Sequence, residues 1–250
     1  MTRTTRLMSA FAAALLLTIG WTQTTTAQTG EEIRFGFYGG IVYSLVGAGS
    51  MQLAAVNDDR FQSREFEDPT DLSDGQGLGP HFGAMFEYHS GSTLGMALKL
   101  GADVYVAEME DAPSGANFTT SVNYFMIEPG LRLSFTDDFA VTAGPSLGIL
   151  ITAKYDYDPG SENTEPGIEG ERIDGMNETA FGAFADFSYD IQMRGDDEDG
   201  DTPIYLTPFL GVNWLTDQRG ADAASQDELD DVWSTIGIRL GLQLKFGAML

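Results

Sequence analysis

The stretch from Thr235 to Phe246, TIGIRLGLQLKF, carries an apolar side chain at every second position. Successive side chains of a β-strand point to opposite faces, so this alternation predicts a strand with one apolar and one polar face. Seven further segments repeat the pattern, and the eight predicted strands cover residues 33–46, 78–89, 93–106, 122–135, 139–156, 179–191, 203–215 and 232–246. Such a series of strands folds into a β-sandwich or a β-barrel.

The connections between the predicted strands alternate in length. The long ones are residues 47–77, 107–121, 157–178 and 216–231, whereas residues 90–92 and 136–138 are short and 192–202 is intermediate. Long and short connections therefore fall at opposite ends of the strands. Outer-membrane barrels have this asymmetry, with short periplasmic turns and longer outer loops. The Greek-key connections of a sandwich give no reason for it.

Charged side chains are confined to the polar faces of the eight strands. No Asp, Glu, Lys or Arg lies on the apolar faces, and the opposite faces carry six basic and five acidic residues: Arg34, Glu87, Lys99, Asp103, Glu128, Arg132, Lys154, Asp186, Asp190, Arg239 and Lys245. A lipocalin-like barrel would instead keep its interior apolar and its charges outside. The pattern predicts an all-β, eight-stranded, antiparallel up-and-down transmembrane β-barrel.

In this barrel the apolar faces contact lipid, and the charged residues form a network of ion pairs in a narrow lumen filled by side chains. Neighbouring strands should bring Arg34 near Glu87. They should also bring Lys99 or Asp103 near Glu128 or Arg132.

The N-terminus has the pattern of a secretory signal. Arg3 and Arg6 precede the apolar stretch LMSAFAAALLLTIG, and small residues at Thr25 and Ala27 offer a cleavage site. We therefore expect a signal peptide over residues 1–27, a barrel domain over residues 28–250, and a location in the cell outer membrane.

The chain is strongly acidic, with 38 Asp and Glu against 13 Lys and Arg. Loss of the two arginines in residues 1–27 changes the net charge from −25 to −27. This charge excludes nucleic acid as a partner. Acidic, lysine-poor loops suggest adaptation to concentrated salt, where charge repulsion is strongly screened.

Two stretches carry a family resemblance. Residues 124–135 (YFMIEPGLRLSF) and 139–157 (FAVTAGPSLGILITAKYDY) resemble paired strands of the small PorT-like outer-membrane β-barrels of Bacteroidota-type bacteria, through Glu128, Pro129, Ala143, Gly144, Pro145, Ala153 and Lys154. Near the C-terminus, Gly241, Leu244 and Phe246 resemble the assembly signal of outer-membrane proteins. The resemblance implies a small barrel in the outer membrane that is recognised by the barrel assembly machinery.

Motifs for metal binding or catalysis are incomplete. The run DDEDGD at 196–201 fails as an EF-hand loop, because the sixth and twelfth positions from Asp197 hold Thr202 and Pro208. We interpret it as a solvated acidic turn. His81 and His89 fall on the lumen face, and no spacing pairs them with a nucleophile, so we interpret them as packing residues. The sequence predicts no cofactor, metal site or catalytic residue.

The predicted function is therefore a structural or interaction role through acidic outer loops. Expected partners are outer-membrane lipid, the assembly machinery and a protein at the outer loops, with the barrel itself a monomer. Two alternatives stay open. A narrow, porin-like channel or small-solute transporter would conduct in a planar bilayer, and an outer-membrane hydrolase would lose activity on His81→Ala.

Overall fold

The computed structural model describes residues 31–46, 75–90, 93–111, 116–158, 167–173, 176–194, 202–216, 218 and 234–249. The predicted signal peptide, the acidic run at 196–201 and most of the long connections lie outside these residues. The described chain forms ten strands: β1 Glu32–Val46, β2 Gly75–His89, β3 Leu94–Asp111, β4 Ala116–Ser134, β5 Phe139–Asp158, β6 Ile168–Arg172, β7 Thr179–Tyr189, β8 Ile191–Arg194, β9 Ile204–Thr216 and β10 Thr235–Met249.

Eight long strands close into a ring. Each is antiparallel to its neighbour in the order β10-β1-β2-β3-β4-β5-β7-β9, and pairing of β9 with β10 completes the circle. The two short strands extend this ring at its rims, since β6 pairs with β5, and β8 pairs with β9 beyond the end of β7. The predicted eight-stranded up-and-down barrel is confirmed.

The outer surface of the ring carries a broad apolar band. Exposed side chains on it include Phe37, Leu78, Phe82, Met96, Leu131, Ile151, Phe181, Leu210 and Leu240. On β5 the band runs from Phe139 to Ile151, about 40 Å along the strand. With a strand tilt of about 40° this length spans about 30 Å, the thickness of the bilayer hydrocarbon. Among the described residues, no helix has the length and apolar character needed to cross a membrane.

The hairpin of β3 and β4 is longer than predicted. Residues 107–121 were expected to form a loop, but β3 continues to Asp111 and β4 begins at Ala116. In this extension Phe118 and Thr120 point inward, whereas Asn117 is exposed and Thr119 is half-buried. The prediction was wrong because the outward positions here face water, so their polar side chains gave the segment the composition of a loop.

A β-bulge in β5 reverses which residues face inward. Asn123 of β4 pairs with Thr152, but the next residue, Tyr124, pairs with Leu150, so Ile151 is an extra residue. Before the bulge the even-numbered residues of β5 point inward, and after it Ala153, Tyr155 and Tyr157 do. Lys154 is therefore exposed on the outer surface, and its predicted place in the lumen is wrong. One inserted residue changes the face of every residue that follows.

Candidate functional site

The interior of the barrel is filled by side chains in layers. We call the end with the short connections after β2 and β4 the short-turn end, and the opposite end the long-loop end. From the short-turn end, β1 places Arg34, Tyr38 and Val42 inward in succession, and β2 places Glu87, Met85 and His81 inward. Charged and apolar positions therefore follow one another along the barrel axis, and they define a first ionic layer, an aromatic layer, a second ionic layer and an apolar layer.

The first ionic layer lies nearest the short-turn end and balances three acids with three bases: Glu32, Arg34, Glu87, Arg132, Asp190 and Lys245. Asp190 is its centre. One carboxylate oxygen accepts from Arg34 at 2.6 Å and from Arg132 at 2.7 Å, and the other accepts from Lys245 at 3.0 Å and from the Thr207 hydroxyl at 2.6 Å. Asp190 therefore binds four side chains, which come from β1, β4, β9 and β10.

Glu87 is a second acceptor in this layer. Lys245 donates to both of its carboxylate oxygens, at 3.2 and 3.1 Å, and Arg132 lies 3.3 Å from one of them. Arg34 lies 2.7 Å from Glu32. All six charged residues are buried, so each charge is compensated by an opposite charge rather than by bulk water.

The aromatic layer separates the two ionic layers and contains one ion pair. Lys99 bonds to Asp186, and its ammonium nitrogen lies 5.0 to 5.9 Å from the ring centroids of Phe209, Tyr38 and Phe184. Ring faces attract a cation within about 6 Å. The rings therefore both fill the lumen and stabilise the charge that lies among them.

Arg239 joins the two acids of the second ionic layer. It donates to the Glu128 carboxylate oxygens at 2.8 and 3.0 Å and to Asp103 through Nε at 3.1 Å and through Nη2. Glu128 also accepts from Asn213 at 2.7 Å and from Ser146 at 3.1 Å. Arg239, Glu128 and Asp103 each have 0% of their surface exposed.

Asp103 has two additional partners in this layer. Its carboxylate bonds to Nδ1 of His81 and accepts a hydrogen bond from the Tyr105 hydroxyl at 2.8 Å. Together with Arg239, these contacts make Asp103 a structural acceptor at the boundary with the apolar layer.

The apolar layer fills the long-loop end of the barrel. Its buried residues include Val42, Tyr105, Phe118, Val122, Tyr124, Met126, Ala153, Tyr155 and Leu215. The rings of Phe118 and Tyr155 stack with centroids 5.4 Å apart. Above the apolar outer band, the interior of the barrel is therefore apolar and its outer surface is polar, as expected where the wall is surrounded by water.

Ten of the eleven residues predicted for the lumen are buried there and take part in ion pairs: Arg34, Glu87, Lys99, Asp103, Glu128, Arg132, Asp186, Asp190, Arg239 and Lys245. The exception is Lys154. Glu32 was not among the predicted lumen residues, although it extends the alternation of β1 by one residue and has the same parity as Arg34. The neutral partners Ser146, Thr207 and Asn213 carried no charge signal that would have identified them.

The residues predicted to lie near each other on neighbouring strands are adjacent in the wall, but they do not form ion pairs with each other. Arg34 lies opposite Glu87 in the β1–β2 register, and Lys99 lies opposite Glu128 in the β3–β4 register. Arg34 instead forms ion pairs with Asp190 across the lumen and with Glu32 on its own strand, and Lys99 forms one with Asp186 across the lumen. The described residues contain no group of three or more His, Asp or Glu side chains placed to hold a metal ion.

Neither a family model nor a curated protein matches the sequence. Among solved structures, the chain is similar to Ail, the attachment invasion locus protein of Yersinia pestis, determined in complex with the heparin analogue sucrose octasulfate. That match has a TM-score of 0.35 and 11% identity over 86% of this chain and 99% of that one. It is also similar to the outer membrane protein OprG from Pseudomonas aeruginosa, with a TM-score of 0.32 and 9% identity over 90% and 97% of the two chains.

At these TM-scores the assignment depends on the chain's own architecture. A closed antiparallel barrel with an apolar outer band and a polar interior satisfies every backbone hydrogen bond within the bilayer and is the architecture of outer-membrane β-barrels. The chain is a protein of the cell outer membrane. Gly241, Leu244 and Phe246, the predicted assembly signal, lie on β10, which pairs with β1 to close the ring.

Proposed function

We propose that this protein is a closed, non-conducting outer-membrane barrel with a structural or interaction role at its outer end. The observation that carries the proposal is the filled lumen, in which the first ionic layer, the aromatic layer, the second ionic layer and the apolar layer follow one another. An eight-stranded barrel is just wide enough for side chains to fill. A solute would have to separate several buried ion pairs in succession, and each separation leaves a charge without its partner.

The outer end offers the surface for such a role. Beyond the apolar band, the sheet of β3, β4 and β5 exposes Glu108, Asn117, Asp156 and Asp158 to solvent. This sheet flanks the connections that we propose as the site of contact with a partner protein. The role is thus assigned to the wall and loops at the long-loop end rather than to the interior.

Planar-bilayer recording on the purified protein tests the closed lumen. We expect no steady conductance from the wild type. The double variant Glu128→Ala/Arg239→Ala removes both partners of one buried pair and should give brief openings. Steady conductance from the wild type would contradict the proposal and favour the channel.

Photo-crosslinking in intact cells tests the outer role. A photoreactive residue in place of Asp156 should form protein adducts, whereas the same residue in place of Gln192, which is exposed near the short-turn end, should not form the same ones. Adducts that are identical from both positions, or are absent from position 156, would argue against a partner at the outer end.

A hydrolase is less well supported than this role. His81 and Asp103 form a pair that resembles part of a catalytic dyad, but His81 is 1% exposed and Asp103 is already bound to Arg239 and Tyr105. No solvent-exposed nucleophile is brought to this pair among the residues that the structure describes. An esterase or peptidase activity abolished by His81→Ala in a correctly folded barrel would reverse this conclusion.

We further propose that the barrel is a monomer and that the assembly machinery recognises the end of β10. Leu244 and Phe246 both face outward on this closing strand, which supports the proposal. The relationship to PorT-like barrels is proposed on the stretch from Glu128 to Lys154. It is supported by Pro129 and Pro145, which both lie on the outer surface of adjacent strands.

A further inference from the structure

Basic side chains are rare on the outside of this barrel. Of the lysines and arginines whose side chains the structure describes, only Lys154 and Arg172 are exposed, and the others are buried in the lumen. The two are direct partners in the β5–β6 register, so their side chains lie on the same face of the sheet. Among the side chains that the structure describes, the positive charge on the outer surface of the barrel is therefore concentrated at one place.

This place lies just above the apolar band. Ile151 is the last apolar residue of β5 on the outer face, and Lys154 follows it by about 10 Å along the strand. With a strand tilt of about 40°, the lysine backbone is about 8 Å above the end of the band, close to the level of the lipid headgroups. Because the band ends there on the long-loop side, these headgroups belong to the outer leaflet.

The bulge at Ile151 is what places Lys154 outside. Without the extra residue, Lys154 would keep the inward phase of Thr142 and Ser146. β-Bulges commonly re-aim a side chain at a functional position. The short strand β6 then brings Arg172 beside the lysine.

Two like charges directly opposite each other on a sheet repel each other. Among the described residues, no carboxylate forms an ion pair with Lys154. Asp156, the next outward residue of β5, accepts a hydrogen bond from the backbone N–H of Gly170 at 2.5 Å. Asp158 lies farther from the bilayer, so the positive charges are the ones nearest the lipid.

We propose that Lys154 and Arg172 bind a phosphate group on the headgroup of an outer-leaflet lipid. The lysine supplies a mobile ammonium and the arginine a planar guanidinium that bonds two phosphate oxygens at once. The acidic residues above this pair repel other anions, so the site accepts a phosphate only from the side of the membrane. The inference is independent of whether the lumen conducts.

Native mass spectrometry of the full mature protein in a neutral detergent tests this site. The protein is titrated with lipid A, whose sugar headgroup carries phosphate monoesters, and in parallel with dephosphorylated lipid A and with inorganic phosphate. We expect saturable binding of lipid A, and weak binding of both the dephosphorylated lipid and free phosphate.

Each basic residue near a membrane surface contributes about fivefold to binding, so Lys154→Gln and Arg172→Gln should each weaken it about fivefold and the double variant about 30-fold. Lys154→Arg/Arg172→Lys keeps both charges and should bind within about twofold of the wild type. Glu108→Gln, on the same outer sheet, is the control for a charge change elsewhere and should not weaken binding.

Equal binding of lipid A and its dephosphorylated form by the wild type overturns the proposal without any variant. Equal binding by the wild type and the Lys154→Gln/Arg172→Gln variant also overturns it. If inorganic phosphate displaces lipid A at the same concentration, the site is one for free phosphate and the assignment to lipid is wrong.

Discussion

Replacing Arg239 by methionine should destabilise the barrel strongly. Arg239 is fully buried and is shared by Glu128 and Asp103, which are also fully buried. Methionine keeps much of the side-chain length but removes the charge and all the hydrogen-bond donors. Removing one partner of a buried ion pair costs about 3–5 kcal/mol, because the opposite charge is left without compensation.

Hydrogen bonds that remain in the variant place the expected loss of stability near the lower limit of the range of about 3–5 kcal/mol. Glu128 keeps its hydrogen bonds from Asn213 and Ser146 after the substitution. Asp103 similarly keeps His81 and Tyr105. Since these donors still stabilise both carboxylates, we expect the free energy of unfolding to fall by about 3 kcal/mol, which lowers the folding equilibrium constant more than a hundredfold.

Urea unfolding of the protein in lipid vesicles measures this change, with the folded fraction followed by the mobility of unboiled samples on SDS gels. Glu108→Gln is the control, since it removes one charge from an exposed side chain of β3. Its effect should be within about 0.5 kcal/mol.

The triple variant Arg239→Met/Asp103→Asn/Glu128→Gln separates charge from packing. It removes all three charges and should recover part of the lost stability, because no uncompensated charge is left. If Arg239→Met were as stable as the wild type, water would have to solvate the second ionic layer. If the triple variant were no more stable than the single one, the loss would come from packing instead.

Two other perturbations test the surface charge and the lumen packing. Raising NaCl from about 0.1 M to about 1 M shortens the Debye length from about 10 Å to about 3 Å, so a chain with a net charge of −25 should have a higher urea midpoint at high salt. A midpoint that does not move would show that the acids are paired locally. Gly101→Ala would place a methyl group against the Tyr38 hydroxyl and the Phe82 carbonyl and should destabilise by about 1–3 kcal/mol, as measured by urea unfolding. Gly39→Ala has open space around the added atom and should be neutral or slightly stabilising, and equal effects of the two glycine variants would contradict the packing in the aromatic layer.

The barrel could be predicted from the sequence because its two faces meet different environments. Lipid outside demands apolar side chains and a confined lumen demands paired charges, so the period-two alternation in β10 and β3 carries both requirements. The same logic predicted which face holds Glu128 and Arg239. It failed for residues 107–121 because this part of the wall lies above the membrane. There the outward side chains face water and are polar, and inward side chains such as Phe118 belong to the apolar layer.

The choice of ion-pair partners depended on the tertiary structure. Strand order predicts which residues are adjacent in the wall, such as Lys99 and Glu128. In an eight-stranded ring, however, a lysine or arginine side chain is long enough to reach across the lumen. Lys99 therefore meets Asp186, and Arg239 meets Glu128, because the tilt and curvature of the whole barrel set the distances between strands that are not neighbours.

The sequence alone determined that the chain forms an eight-stranded barrel with lipid on one side and charges on the other, since alternation is a local property of each strand. Only the tertiary structure decided on which side Lys154 lies. The extra residue at Ile151 is visible only when β5 is paired with β4, and no pattern within β5 marks it. Because side chains alternate strictly, this one residue moves Lys154 from the lumen to the outer surface beside Arg172.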